Sequence, residues 1–255
     1  MGFLEVLNKF EKITLEEMDG VKLMDRTDTK YSFREDQLAD NLSKVSYTYK
    51  VLEIKDKRIA AYHTLYYDTE ELDLYLKHHN GILNRYKIRH RTYVDSNLGF
   101  LEVKFKNNKG RTVKTRIKKR DVPFTFENEA EKFLIGELPF APHTLVPTVW
   151  VNYNRITLVS KNSPERLTID TGLTFIKNNE TVKMENLVIA EVKQDKKQNS
   201  VFIRKMKDLH IIEGGISKYC LAIAKTTEEV KKNTFKPKLI TLQKILNYVP
   251  VTSIK

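Results

Sequence analysis

NRYKIRHRTYVDSNLGFLEVKFK, residues 84 to 106, is dense in cations at alternate positions. Alternate residues of a strand share a face. Lys87, Arg89 and Arg91 therefore lie together, as do Glu102, Lys104 and Lys106, with Ile88, His90, Thr92, Leu101, Val103 and Phe105 on the reverse sides. Lys114, Arg116 and Lys118 repeat the spacing, and Arg155, Asp170, Glu191 and Lys193 carry the pattern to distant strands. Such an array suits a phosphorylated anion, because arginine's planar fork meets phosphate oxygens in pairs and lysine supplies a point charge. A solvated outer face is the ordinary home of any one such strand. Recurrence along the chain favours a convergent interior instead.

LEVK at 101–104 and AEVK at 190–193 each place an acid two residues before a lysine. On a strand face this lets a carboxylate ligate a hard cation while the lysine neutralises phosphate oxygens. A cross-strand salt bridge explains one such pair equally well, and two less easily. Other chemistry is thin. The six histidines show no zinc spacing and read as surface or packing residues. Gly214-Gly215 is no P-loop, and Asp68 in YYDT reads as a structural strand-end acid. No Ser-His-Asp or Cys-His nucleophile system is suggested.

The elements that must position these residues begin with a helix near residues 2 to 12 and TDTKYSF, a strand ending at Ser32 where SFRE forms a capping box from Ser32 to Glu35. Leu38, Leu42 and Val45 then recur at helical spacing. AYHTLYYDT, GILNRYKIRHRTYV, GFLEVKFKNN and TVKTRIKKRDV are strand-like, with Asn107-Asn108-Lys109-Gly110 turning between the last two. FENEAEKFLIGEL is helical in pattern; PTVWVNYNRITLVS, RLTIDTGLTFIKN and NLVIAEVKQ are strands. NSVFIRKMKDLHI and SKYCLAIAKTT are helices either side of Glu213-Gly214-Gly215. The connections are too short for serial βαβ crossovers. The pattern predicts an α+β chain, mainly an antiparallel β-barrel, closed or nearly so, with helices around it; about eight strands leave room for one small ligand. Residues 1–235 read as a single domain and 236–255 as a C-terminal extension that packs as a helix or hangs free.

Lys and Arg number 45 against 33 Asp and Glu, a formal net charge of +12. That balance calls for an anionic partner. A nucleic-acid binder would display its cations as an exposed stripe with stacking aromatics, so no nucleic acid is expected. The run from Lys104 to Arg120 holds nine Lys/Arg and no acid, enough for Lys109, Arg111, Lys119 and Arg120 to hold a polyanion at a tunnel mouth. Cys220 is the only cysteine, which excludes an internal disulfide and a thiolate metal cluster and suits a reducing, cytoplasmic setting. No stretch approaches the roughly 20 apolar residues that span a bilayer, so no membrane insertion by this chain is expected.

In chain order, RTDTKY at 26–31, LYYDT at 65–69, KIRHRTY at 87–93, FLEVKFK at 100–106, YNR at 153–155, AEVK at 190–193 and SKY at 217–219 resemble the motifs of the VTC domain. That is the polyphosphate polymerase domain of the vacuolar transporter chaperone complex, within the triphosphate tunnel metalloenzyme (CYTH-like) superfamily. The resemblance implies an eight-stranded antiparallel tunnel holding ATP or another triphosphate, or polyphosphate, with Mn2+ or Mg2+. It implies Lys30, Arg89, Arg91, Lys104 and Arg155 as phosphate-binding residues, Ser217 and Lys218 as the closing pair from the terminal helix, and Glu191 as the metal-binding glutamate. Lys87, Lys114, Arg116 and Lys193 fit the tunnel by strand phase, as do Glu102 and Asp170, two further acids for a metal. Arg89, Arg91, Lys104, Arg155 and Glu191 form the catalytic set so implied. The implied activity is transfer of the γ-phosphate of ATP to a growing polyphosphate chain. Hydrolysis of a triphosphate in the same tunnel, and non-catalytic sensing of polyphosphate or nucleotide, stay open. The chain departs from the superfamily's ExExK at Asp28-Thr29-Lys30, with Arg26 upstream, which leaves fewer carboxylates for a second metal and favours the polymerase branch. Any membrane partner would be a separate chain.

Overall fold

The computed structural model describes residues 2–19, 27–195, 199–215 and 217–247. Its strands are β1 (Glu11–Ile13), β2 (Thr27–Arg34), β3 (Tyr49–Leu52), β4 (Ile59–Asp68), β5 (Arg85–Tyr93), β6 (Leu98–Lys106), β7 (Thr112–Lys118), β8 (Val146–Ser160), β9 (Glu165–Lys177), β10 (Glu180–Lys183) and β11 (Leu187–Gln194). Eight of them form the path β2-β11-β9-β8-β4-β5-β6-β7, antiparallel at every step. This is the antiparallel tunnel architecture that the alternation predicts, with one difference. The ring is not closed by hydrogen bonds: among the described residues β2 and β7 remain its two edges.

Helices α1 (Phe3–Leu7), α2 (Leu15–Asp19), α3 (Leu38–Val45), α4 (Asp73–His79), α5 (Asn128–Glu137), α6 (Val201–Asp208), α7 (Lys218–Thr226) and α8 (Lys236–Leu246) surround the sheet. On the convex side, Leu38 and Leu42 of α3 and Phe202 and Met206 of α6 bury Tyr31, Phe33, Leu158 and Val192. Ala130 and Leu134 of α5 cover Ile88, Leu101 and Val103. The apolar faces of the basic strands therefore pack outward against helices, leaving the charged faces inside. On the concave side, Tyr219, Cys220 and Ile223 of α7 pack with Tyr66, Val151 and Phe175, and α8 joins them through Leu242. The extension beyond residue 235 thus packs as a helix as far as Leu246, and 248–255 lie outside the described residues.

Two local expectations change, and helix α4 has no counterpart in the sequence pattern. The first helix stops at Leu7, where the Arg58 guanidinium donates to the carbonyls of Leu7 and Phe10 at 2.9 and 3.1 Å. Strand β2 continues past Ser32 to Arg34 because β11 pairs with it throughout, and the turn is capped by Gln37 accepting from the Arg34 amide at 3.2 Å. Helix α4 carries no strong periodicity and is held instead by Asp68, which accepts from the amides of Thr69, Leu74 and Tyr75 and from the Tyr219 hydroxyl. Asp68 is the strand-end acid that its position suggests.

Glu165 shows how polar groups enter the outer core. It is buried and accepts from the Tyr49 hydroxyl, from Ser200 Oγ at 3.0 Å and from Gln194 Nε2 at 2.8 Å. Burial pushes its carboxyl above the ordinary glutamate value. Glu165→Ala should cost about 2–4 kcal/mol by orphaning three donors, and Glu165→Gln far less. A raised folded-state pKa stabilises below the unfolded value and loses that contribution as pH rises. Urea unfolding should therefore show wild type falling behind the Gln variant as pH climbs above 4.5, the ordinary value.

Candidate functional site

Directly opposed residues of an antiparallel pair point to the same face, so register decides which charges meet. Lys87 lies opposite Lys104, and Arg89 opposite Glu102. Lys104 and Glu102 in turn face Lys114 and Arg116 of β7. Across the tunnel, Arg155 opposes Asp170, and Glu191 opposes Lys30. Strand phase thus carries nearly the whole set to one concave surface.

Within it, acids and arginines interlock. Arg89 donates to Glu102 at 2.7 Å and to the Tyr66 hydroxyl at 3.2 Å, while Lys114 pairs with the same carboxylate. Burial opposes charge on Glu102, but Arg89, Arg91 and Lys114 hold it well below the usual carboxylate range. Asp170 accepts two bonds from Arg155, at 2.6 and 2.8 Å, and one from Lys218. Burial is likewise outweighed there by Arg155 and Lys218. Glu191 lies between Lys30 and Lys193, at 3.3 and 2.9 Å. Ser217 accepts from Lys87 at 3.0 Å.

Arg91 and Lys104 have no hydrogen-bonded acid among the described residues. Arg91 is only 8% exposed, stacks its guanidinium 5.3 Å from the Tyr62 ring centroid, and leaves Nε without a hydrogen bond. Lys104 forms no ion pair among the described residues; the Arg89 charge and burial hold its ammonium well below the usual lysine range. Burial pushes Lys87 down to about 8. Lys114 reaches about 8 for the same reason, despite Glu102.

A cavity of about 810 Å³ adjoins this network, with Lys30, Lys87, Lys104, Lys114, Glu191 and Ser217 on its wall. Beside it Arg89, Arg91, Glu102 and Asp170 are buried, and Arg155, Lys193 and Lys218 half-buried. Arg116 stands on the exposed β7 edge, its guanidinium 4.4 Å from the Phe100 ring centroid. Arg26 lies outside the described residues. The basic run of β7 does not form one mouth: Arg111 lines the cavity, whereas Lys119 and Arg120 follow the far end of the strand, roughly 20 Å away at the rise of a β-strand.

Sequence reading passed over Tyr153 and His78. The Tyr153 hydroxyl is buried without a partner. Burial pushes that phenol up, but Arg91 and Arg155 win and hold it below its ordinary value. Its place two residues before Arg155 is the signal, since period two puts both on one face. His78 lines the cavity rather than serving only as packing, and no spacing rule marks it.

Among the described residues no group of three His, Cys, Asp or Glu could hold a metal ion. Of the three acids expected to hold one, Glu191 suits it: its side chain is 18% exposed on the cavity wall, and a magnesium-like ion binds through one or two carboxylates with phosphates and water completing its shell. Glu102 and Asp170, expected as further acids for a metal, are engaged by the arginines and lysines around them, with side chains 0% and 4% exposed.

Lysines near pH 8 give the chamber a pH signature. Protonated lysine binds phosphate, and the charge is lost as pH rises through about 8. Affinity for tripolyphosphate should therefore fall between pH 7.5 and about 9.5, by at most about tenfold per unit for each lysine. Lys87→Met should weaken binding at pH 7 and flatten that fall. Calorimetric titration across pH measures both; an unchanged slope in the variant would remove Lys87 from the site.

The VTC domain family model matches residues 25–227. No curated protein sequence matches the chain. Among solved structures, a candidate adenylate cyclase from Bacillus halodurans is similar at TM-score 0.51 and 12% identity, over 80% of this chain and 100% of its own. A candidate adenylyl cyclase from Hippeastrum, described as having a dominant triphosphatase activity, gives TM-score 0.46 and 14% identity over 81% of this chain and 98% of its own. A conserved hypothetical protein from Pyrococcus furiosus gives 0.41 and 12% over 77% and 100%. Likeness at such identity concerns fold alone. The family match, by contrast, covers the strands that carry the charged chamber, and the chain belongs to the VTC domain family.

Proposed function

We propose that the protein is an ATP-dependent polyphosphate polymerase, a phosphotransferase that moves the γ-phosphate of ATP onto a growing polyphosphate chain. The observation that carries this reading is the two cations that form no ion pair among the described residues, buried Arg91 and half-buried Lys104, in a chamber whose other arginines are already oriented. Uncompensated buried charge calls for an anion. Family membership supports a phosphate chain as that anion.

Phosphoryl transfer asks little covalent chemistry of a protein; it needs alignment and neutralisation of charge on the transferred group. Glu102 fixes Arg89, and Asp170 fixes Arg155 and Lys218, so these donors are placed before substrate arrives. Arg91, Lys104 and the Tyr153 hydroxyl remain free to meet phosphate oxygens. Ser217 directs Lys87 into the cavity. Glu191 would hold a Mn2+ or Mg2+ ion, which would supply positive charge against the charge developing on the phosphates. The acceptor is the end of the chain, and water in its place gives the triphosphatase reaction of the same chamber. Among the described residues no helix is long and apolar enough to cross a membrane. The same reading places the domain in the cytoplasm.

Labelled ATP with divalent metal and a short polyphosphate primer provides the test. Label should move into polyphosphate; release as free phosphate alone under every metal and primer condition would replace polymerase with hydrolase. Arg91→Ala should weaken tripolyphosphate binding by about 1.5–3 kcal/mol, the scale of hydrogen bonds to a charged group. Wild-type affinity in a calorimeter would put Arg91 outside the site. Glu191→Gln should abolish metal-dependent turnover while metal-free phosphate binding persists or tightens, because one negative charge leaves the chamber. Full turnover in that variant would exclude Glu191 as the metal ligand.

A further inference from the structure

The concave side is filled at one end and open at the other. Tyr62 stacks on Tyr153 at 5.2 Å and packs against Tyr93 at 4.9 Å, and Tyr93 meets Phe100 at 5.8 Å. Arg116 then covers Phe100. At the other end Arg85 and Lys106 face each other across β5 and β6, both on the cavity wall. Helix α8 adds Lys238, whose ammonium donates to the Gly215 carbonyl at 3.0 Å. The Gly214 amide in turn donates to the Lys30 carbonyl at 2.9 Å, which ties α8 to the β2 edge. Gly215 leaves room for this crossing, since a Cβ there would stand 3.0 Å from that of Lys30.

None of Arg85, Lys106 and Lys238 pairs with an acid among the described residues. In the chamber, by contrast, Glu102, Asp170 and Glu191 each hold two cations. The acids nearest this end, Asp28 and Glu213, line the same cavity from β2 and from the segment before α7. His78 gauges the balance between the two signs. Its Nδ1 is buried without a hydrogen-bond partner, and burial with the charges of Lys87, Arg85, Lys238 and Lys106 pushes the imidazole down to about 3. The ring thus lies in a buried setting to which these four cations add.

We propose that His78, Arg85, Lys106 and Lys238 form a second anion subsite at this open mouth, taking the distal phosphates of an inorganic polyphosphate chain whose leading phosphates occupy the chamber. The proposal rests on the chamber being a phosphate site, and it fixes the direction in which the chain runs. Lys238 lies beyond residues 25–227, so α8 adds to the mouth a charge from outside the matched domain. His78 donates the one N–H of its neutral ring to a phosphate oxygen, and the three cations offset charge along the chain.

The test titrates the full chain with two probes, inorganic tripolyphosphate and a long-chain polyphosphate, at fixed neutral pH and salt. Lys106→Gln with Lys238→Gln should lose about tenfold in affinity for the long chain and change tripolyphosphate affinity by less than about twofold, the scale of two screened contacts. Lys119→Gln with Arg120→Gln, at the opposite end of β7, should change neither. Equal loss for both probes, no loss for the long chain, or loss carried by the Lys119 and Arg120 pair would overturn the subsite. Wild type that binds the long chain but not tripolyphosphate, with the Lys106 and Lys238 variant still weakened, would keep the mouth and remove the chamber reading. Wild type that binds neither probe would remove both.

Discussion

Cations cannot be buried in rows unless something holds them charged. Two like charges 4 Å apart repel by about 4 kcal/mol at an effective dielectric of 20, before any cost of leaving water. Three carboxylates make the chamber possible. Glu102 lies between Arg89 and Lys114, Asp170 between Arg155 and Lys218, and Glu191 between Lys30 and Lys193. The cross-strand contacts among these depend on register, because a slip of one residue would turn the charges into the helix-facing core and the apolar residues into the chamber. Register is therefore fixed from both faces at once.

The same electrostatics bears on the open seam. Strand β7 presents Lys114, Arg116 and Lys118, and Lys114 and the hairpin's Arg111 share a cavity with Lys30 of β2. A closed ladder would press these cations together with less solvent around them. Charged side chains on an edge also discourage pairing with another chain. The β2 edge is covered differently, with Gly214 taking up the Lys30 carbonyl. The seam thus leaves the cavity accessible without exposing two bare edges.

Much of this could be read in the sequence because it follows from period two. Alternation at Lys87, Arg89 and Arg91, and again at Glu102 and Lys104, predicts a charged inner face backed by helices, and the structure has that arrangement. What escaped depends on which residues lie opposite one another. Nothing local tells whether Glu102 meets a metal or Arg89, since an acid two residues from a lysine suits both; the pairing with β5 decides it. Only part of the run of Lys104 to Arg120 reaches the cavity, for a related reason. Residues contiguous in sequence are strung along a strand, and its two ends serve different places. Helix α4 and His78 carried no periodic signal, because a distant acid, Asp68, fixes the first turn.

Helix α7 is where architecture and chemistry meet. Three consecutive residues reach three different strands: Ser217 to Lys87 of β5, Lys218 to Asp170 of β9, and Tyr219 to Asp68 of β4. The Tyr219 ring stacks on Tyr66 at 5.0 Å, and the Tyr66 hydroxyl accepts from Arg89. One turn of helix therefore sets the spacing of the sheet and the aim of its cations together. Without a polyanion the chamber keeps repulsion that its acids do not cancel, seen in Lys104, whose ammonium the Arg89 charge and burial hold well below the lysine range. A bound phosphate chain relieves that repulsion, and whatever binds only the folded state also stabilises it. The packing of α7 and the three carboxylates must carry the fold until the ligand arrives.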